Sequence, residues 1–123
     1  MIDLHSHSSA SDGIFSPKEA AEYAIGKKLK VWALTDHDTT DGLAEAAKTC
    51  AASESGIIFV PGIEINVRWP SGEFHLLGLG LRKNSEELKD LTKDLTESRR
   101  SRNQEIVEKM NREIGRASCR ERV

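Results

Sequence analysis

Apolar residues are spaced in two ways along this chain, and the two spacings alternate. In the opening "MIDLHSHSSASDG", Ile2, Leu4, His5 and His7 follow a period of two. A strand sends residues i and i+2 to one face, so residues 2–6 read as a strand with His5 and His7 on one side and Ile2 and Leu4 on the other. "SPKEAAEYAIGKKL" then switches to helical spacing, with Ala20, Ala21, Ala24 and Ile25 on one stripe. Ser16 is a good N-cap, Pro17 suits the first helical position, and Glu19 stands three residues after Ser16, as a capping box requires. "KVWALTDHD" is a short run of strand formers ending in polar residues. "TDGLAEAAKTCAASESG" predicts a second helix, capped by Thr40 or Asp41 and stopped by Gly56. "IIFVPGIEINVRW" predicts a third strand, bent at Pro61-Gly62. "PSG" makes a turn, and "EFHLLGLGL" returns as a fourth strand in a hairpin. "NSEELKDLTKDLTESRRSRNQEIVEKM" predicts a long helix with Leu88, Leu91, Leu95, Ile106 and Met110 on its apolar side.

The resulting order is β-α-β-α-β-β-α. Strands alternating with helices point to an α/β fold with parallel pairing, for which a doubly wound sheet and a barrel both fit. The 123 residues suit one modest domain. Charged residues make up 31% and hydrophobic ones 37%, and no apolar run approaches the ~18–20 residues of a spanning helix. No basic-then-apolar leader precedes the first strand, so the expected location is the cytoplasm. A net charge of −2 supplies no general field for duplex DNA or an anionic membrane. Cys50 and Cys119 form neither a metal pair nor a disulfide framework, and Cys50 reads as a small packed residue of the second helix.

The four histidines, His5, His7, His37 and His75, all fall in a predicted strand or just past its end. Glu64 lies in the third strand, and Asp12 follows the first. In α/β folds the C-terminal ends of parallel strands carry the active site, and Asp12, His37 and Glu64 are placed to converge there. Imidazoles and carboxylates on one face suit divalent metals better than they suit a core, and this set is enough for two or three ions. Asp36 and Asp38 flank His37 and are placed to orient the ligands. Other chemistries find little support. "GLGL" lacks a dinucleotide fingerprint, and neither a P-loop nor a G-x-S-x-G elbow is present. "ESRRSRN" reads as a solvated helix face.

The ordered motifs "DLHSHSSASDG", "ALTDHDTTDG", "GIEI" and "FHLLGLG" resemble the PHP (polymerase and histidinol phosphatase) family. Within it they are most similar to small stand-alone phosphoesterases acting on nucleoside bisphosphates and short RNA ends. Ser8 stands where the family commonly has threonine. The resemblance implies a distorted (β/α)7 barrel with a trinuclear metal site. His5 and His7 would hold one ion, Glu64 would bridge it to a second bound by His75, and Asp12 and His37 would hold the third. Manganese is the first choice, with zinc or iron as others. The implied reaction is hydrolysis of phosphate esters of small nucleotides or short RNA by a metal-activated water, with Glu64, His75 and Asp38 as the catalytic set. Two alternatives stay open: a histidinol-phosphate or other phosphomonoester phosphatase, and a non-catalytic PHP scaffold of a polymerase-type protein.

Family members are longer and carry further ligands in their second half, whereas no histidine follows His75 here. Residues 1–112 are therefore expected to be a partial PHP domain, the truncated N-terminal half of the barrel. The end, "EIGRASCRERV", breaks the helical pattern and resembles the translation of a sequencing-adapter oligonucleotide. Residues 113–123 are expected to be a non-native tail.

Overall fold

The computed structural model describes residues 1–83 and 85–114. Its elements are β1 (Ile2–Asp3), α1 (Pro17–Gly26), β2 (Val31–Leu34), α2 (Leu43–Ala52), β3 (Ile58–Trp69), β4 (Gly72–Leu79) and α3 (Glu86–Ile114), in the order the spacing predicts. One compact unit spans Met1–Lys83, and α3 belongs to a second. Residues 115–123, where most of the foreign tail is expected, lie outside the described residues.

The first unit is built on one four-stranded mixed sheet, a half-barrel in the order β1-β2-β3-β4. β2 is parallel to both β1 and β3, and the crossovers between them contain α1 and α2. Parallel neighbours need such crossovers because a tight turn cannot reverse the chain twice. β2 is apolar throughout because both its faces are covered: Trp32, Ala33 and Leu34 are all buried. Ala20, Ala21 and Ala24 of α1 and Ala46 and Cys50 of α2 pack with Trp32 and Leu34, and Phe59 lies 5.4 Å from Trp32, ring to ring. Small side chains on the helices let them sit close to the sheet.

β1 is shorter than the expected 2–6. Beyond Asp3 the chain still follows β2, but side chains replace part of the ladder. Thr35 N–H donates to the Ser6 carbonyl at 2.8 Å, while Ser6 Oγ donates to the Ala33 carbonyl at 2.7 Å. Such side-chain bonds compete with a regular strand. α2 also begins differently from expectation. Its N-cap is Gly42, with no side-chain capping bond, and Leu43 N–H donates to the Thr40 carbonyl at 3.1 Å. A backbone turn therefore does what Thr40 or Asp41 was expected to do.

β3 serves two ladders. Residues up to Pro61 pair with β2, and Gly62 to Trp69 pair antiparallel with β4. Proline has no N–H to continue a ladder, so the change of partner falls where the sequence places the bend. Only glycine fits next, since a Cβ on Gly62 would lie 2.7 Å from Thr35 Cγ2 and 2.9 Å from the Gly78 carbonyl oxygen. On the hairpin, Phe74, Leu76 and Leu79 are exposed. In α3, Leu91, Ile106 and Met110 of the expected apolar side are also exposed. No helix among the described residues is long and apolar enough to cross a membrane.

The predicted capping box is present in full. Glu19 N–H donates to Ser16 Oγ at 3.2 Å, and Ser16 N–H donates to Glu19 Oε2 at 2.8 Å. The bond from the Ser16 backbone, followed by that from its hydroxyl, holds the Glu19 carboxyl below the usual carboxylate range. Ser16→Ala should cost about 1 kcal/mol, the usual scale for an N-cap, measured by thermal or urea unfolding. A carboxyl with a lowered folded-state value stabilises above its unfolded value and loses that contribution as pH falls. The Ser16 backbone N–H, the larger cause, is kept in Ser16→Ala, so only the hydroxyl's share of the difference should fade on acidification below about pH 4.

Candidate metal centre

The centre is organised by Glu64, which β3 carries two residues past the change of partner. Backbone bonds fix it against the chain after β2: Glu64 N–H donates to the Asp36 carbonyl at 3.0 Å, and Asp38 N–H donates to the Glu64 carbonyl at 2.9 Å. This single parallel bridge sets His37 beside Glu64. The hairpin register places Asn66 opposite His75 and Glu64 opposite Leu77, so His75 and Glu64 share a face. His5 and His7 arrive from the segment after β1, and Asp12 from the loop before α1.

All six predicted donors meet. Glu64 is 1% exposed, and its carboxylate is surrounded by imidazoles. His5 Nε2 donates to Glu64 Oε2 at 3.0 Å, and His75 Nδ1 donates to Oε1 at 2.6 Å. His7 Nε2 lies 2.9 Å from the same Oε2, and His37 Nε2 lies 3.6 Å from it. Asp12 closes the ring, with Oδ1 3.0 Å from His7 Nδ1 and Oδ2 3.4 Å from His37 Nε2. Burial pushes the Glu64 carboxyl upward, but the hydrogen bonds from His5 and His75 and the charges of His37 and His5 outweigh it. The group is held below the usual carboxylate range.

The donors fall into three overlapping groups: His5, His7 and Glu64; His7, Asp12 and His37; and His37, Glu64 and His75. Within each group the ligand atoms lie within 4.8 Å of one another. His7 tests whether a cation fits. Both its ring nitrogens face carboxylate oxygens at about hydrogen-bond distance, yet its buried Nδ1 makes no hydrogen bond. A neutral imidazole has one N–H, so its second nitrogen presents a lone pair. A lone pair against a carboxylate oxygen is repulsive unless the ring is doubly protonated or a cation lies between them. The mixed nitrogen and oxygen set suits a divalent transition metal.

Asp38, expected to take part in catalysis, is buried and follows His37 with a left-handed backbone, φ 55°. Sequence reasoning missed the two serines of the first loop. Ser8 and Ser11 both hydrogen-bond the Asp36 carboxylate, which is 2% exposed. The signal available was the run of small polar residues ending in Gly13. A Cβ on Gly13 would meet the His7 carbonyl oxygen at 2.6 Å, so the loop turns back tightly on the segment that carries His7.

The PHP domain family model matches residues 3–119. The chain belongs to the PHP family. It is 43% identical over 101 residues to the 3',5'-nucleoside bisphosphate phosphatase of Chromobacterium violaceum, covering 82% of this chain and 35% of that protein. It is 33% identical over 112 residues to the 5'-3' exoribonuclease Rnm of Salmonella typhimurium, covering 91% of this chain and 38% of that one. A Bifidobacterium adolescentis structure described as that of a metal-dependent phosphoesterase superposes with a TM-score of 0.81 at 28% identity, over 90% of this PHP chain and 38% of the other. This PHP chain thus spans less than two fifths of the length of these relatives.

His7 belongs to two donor groups and His75 to one. His7→Ala should therefore release more bound ion per chain than His75→Ala, measured by elemental analysis after dialysis against manganese or zinc. Equal losses would contradict the shared role of His7.

Proposed function

We propose that this chain carries the N-terminal half of the metal site of a phosphoesterase, whose full-length parent hydrolyses phosphate esters of small nucleotides or short RNA ends. The observation that carries the reading is the sharing of donors. Glu64, His7 and His37 each belong to two of the three groups, so the ions they hold would lie close together, as phosphoryl chemistry requires. Three ions per complete site, manganese first and zinc or iron as others, match the three groups. The names of the relatives favour nucleotide substrates over others.

The residues divide the work. His5, His7, Asp12, His37, Glu64 and His75 would be the ligands. Glu64, kept ionised by its histidines, would bridge two ions. The side chains of His5, His75 and Asp12 are the most exposed of the six, at 50%, 53% and 63%, so the substrate would approach from their side, with His75 beside the reacting phosphate. Asp38, buried and next to His37 in the chain, would take part in catalysis by orienting the ligands. Divalent ions bound there supply an acidified water and neutralise the phosphate oxygens.

The test is phosphate release by the full-length parent with added manganese, against a nucleoside 3',5'-bisphosphate, a short 5'-phosphorylated RNA and histidinol phosphate. Turnover of the first two is expected. Turnover of histidinol phosphate alone would make the parent a phosphomonoesterase of another substrate class, and no turnover with metals bound would make the domain a scaffold. Glu64→Gln should lower kcat by ~10²-fold or more, the scale of losing a main electrostatic stabiliser. Full activity in that variant would remove Glu64 from the mechanism.

A further inference from the structure

The loop between β1 and α1 hangs from one buried carboxylate. We infer that Asp36 is a positioning residue, which holds the Ser8–Gly13 loop so that Asp12 is presented to His7 and His37. This rests on reading those three as a metal-binding group.

Asp36 is 2% exposed and Ser8 is fully buried. Three donors from the loop converge on the Asp36 carboxylate. Ser8 N–H donates to Oδ1 at 2.6 Å, Ser8 Oγ to Oδ2 at 2.7 Å, and Ser11 Oγ to Oδ1 at 2.6 Å. The loop then closes on itself. Ser11 and Gly13 N–H both donate to the Ser8 carbonyl, at 3.1 and 2.8 Å, and Ala10 N–H donates to Ser8 Oγ at 3.2 Å. Asp12, by contrast, has a side chain that is 63% exposed. Within the loop its carboxylate meets Ser11 Oγ at 3.4 Å, so its position near His7 and His37 follows from the backbone that carries it and from Ser11, which Asp36 also holds. That backbone is fixed at Ser8 and Ser11, on either side of the turn, by a residue that also binds β3, since the Asp36 carbonyl accepts from Glu64 N–H at 3.0 Å. Asp36 therefore joins the Asp12 loop to the strand that carries Glu64. A charged acceptor suits this role, because bonds to an ionised carboxylate are roughly twice as strong as neutral ones.

The experiment compares Asp36→Asn, Ser8→Ala and Ser11→Ala in this chain, with Ser16→Ala as a control that weakens the helix cap just after the loop without removing a bond to Asp36. Amide exchange of residues 8–13 without metal reads the loop itself. A cobalt titration followed by visible absorbance reads the donors. All three loop variants should speed exchange at residue 8 and Gly13. They should also weaken one class of cobalt site ~10- to 100-fold, the scale for residues that orient ligands, and leave the others unchanged. Ser16→Ala should lower the thermal midpoint and move neither readout. If Asp36→Asn fails to fold, Ser8→Ala decides the matter, because Ser8 Oγ bonds Asp36 at 2.7 Å whereas Ser11 Oγ also touches Asp12 at 3.4 Å. Unchanged exchange in Ser8→Ala, or equal weakening of every cobalt class in step with thermal stability, would overturn the inference. If the parent chain binds no cobalt, the metal reading falls, and faster exchange in the variants would still support Asp36 as the residue that holds the loop.

Discussion

A carboxylate with almost no access to water has to be compensated, and Glu64 sets the terms for everything around it. An ion removed from water costs several kcal/mol unless charge and hydrogen bonds replace the solvent. Here His5, His7, His37 and His75 all come within 3.6 Å of its two oxygens. These rings come from three separate stretches of chain, so compensating one side chain requires β1, β2, β3 and β4 to be in register together. The constraint runs both ways. The strands exist to bury Trp32, Leu34 and Ile63, but their relative shift is the one that also satisfies Glu64.

The parts of the fold legible in the sequence were those decided locally. Ser16, Pro17 and Glu19 define a helix start whatever follows them, and the structure shows that box complete. Pro61-Gly62 marks a bend because proline has no N–H to continue a ladder, and the strand changes partner there. The histidine donors were legible for a different reason: histidine is rare in this chain, and each one falls in a predicted strand or just past its end. What stayed hidden depended on contacts between segments far apart in the chain. Nothing near Ser6 announces that its hydroxyl will bond Ala33 and cut β1 short. Nothing near Ser8 or Ser11 names Asp36 as their acceptor, 28 and 25 residues away. The start of α2 was misplaced because Thr40 and Asp41 look like caps, while a turn through Gly42 takes their place.

The order of the sheet also explains why so much of the candidate site falls within a short sequence. Of the candidate donors, His5, His7, Asp12 and His37 lie beyond the C-terminal ends of β1 and β2, and Glu64 lies three residues past Pro61, where the parallel pairing of β3 stops. A sheet of parallel strands puts those ends on one side. The antiparallel return through β4 is the exception. It brings His75 to Glu64 from the middle of a strand rather than from its end.

That return has a consequence for how such a site can diversify. Three residue pairs, Val67 with Phe74, Arg68 with Glu73 and Trp69 with Gly72, lie between the Asn66–His75 pair and the turn. Their register is counted outward from Gly62 opposite Leu79, so adding or removing whole pairs at the tip leaves Glu64 and His75 where they are. The hairpin is an arm of adjustable length attached to a fixed centre. Its outer pairs can change in number while Glu64 and His75 at its base keep their places.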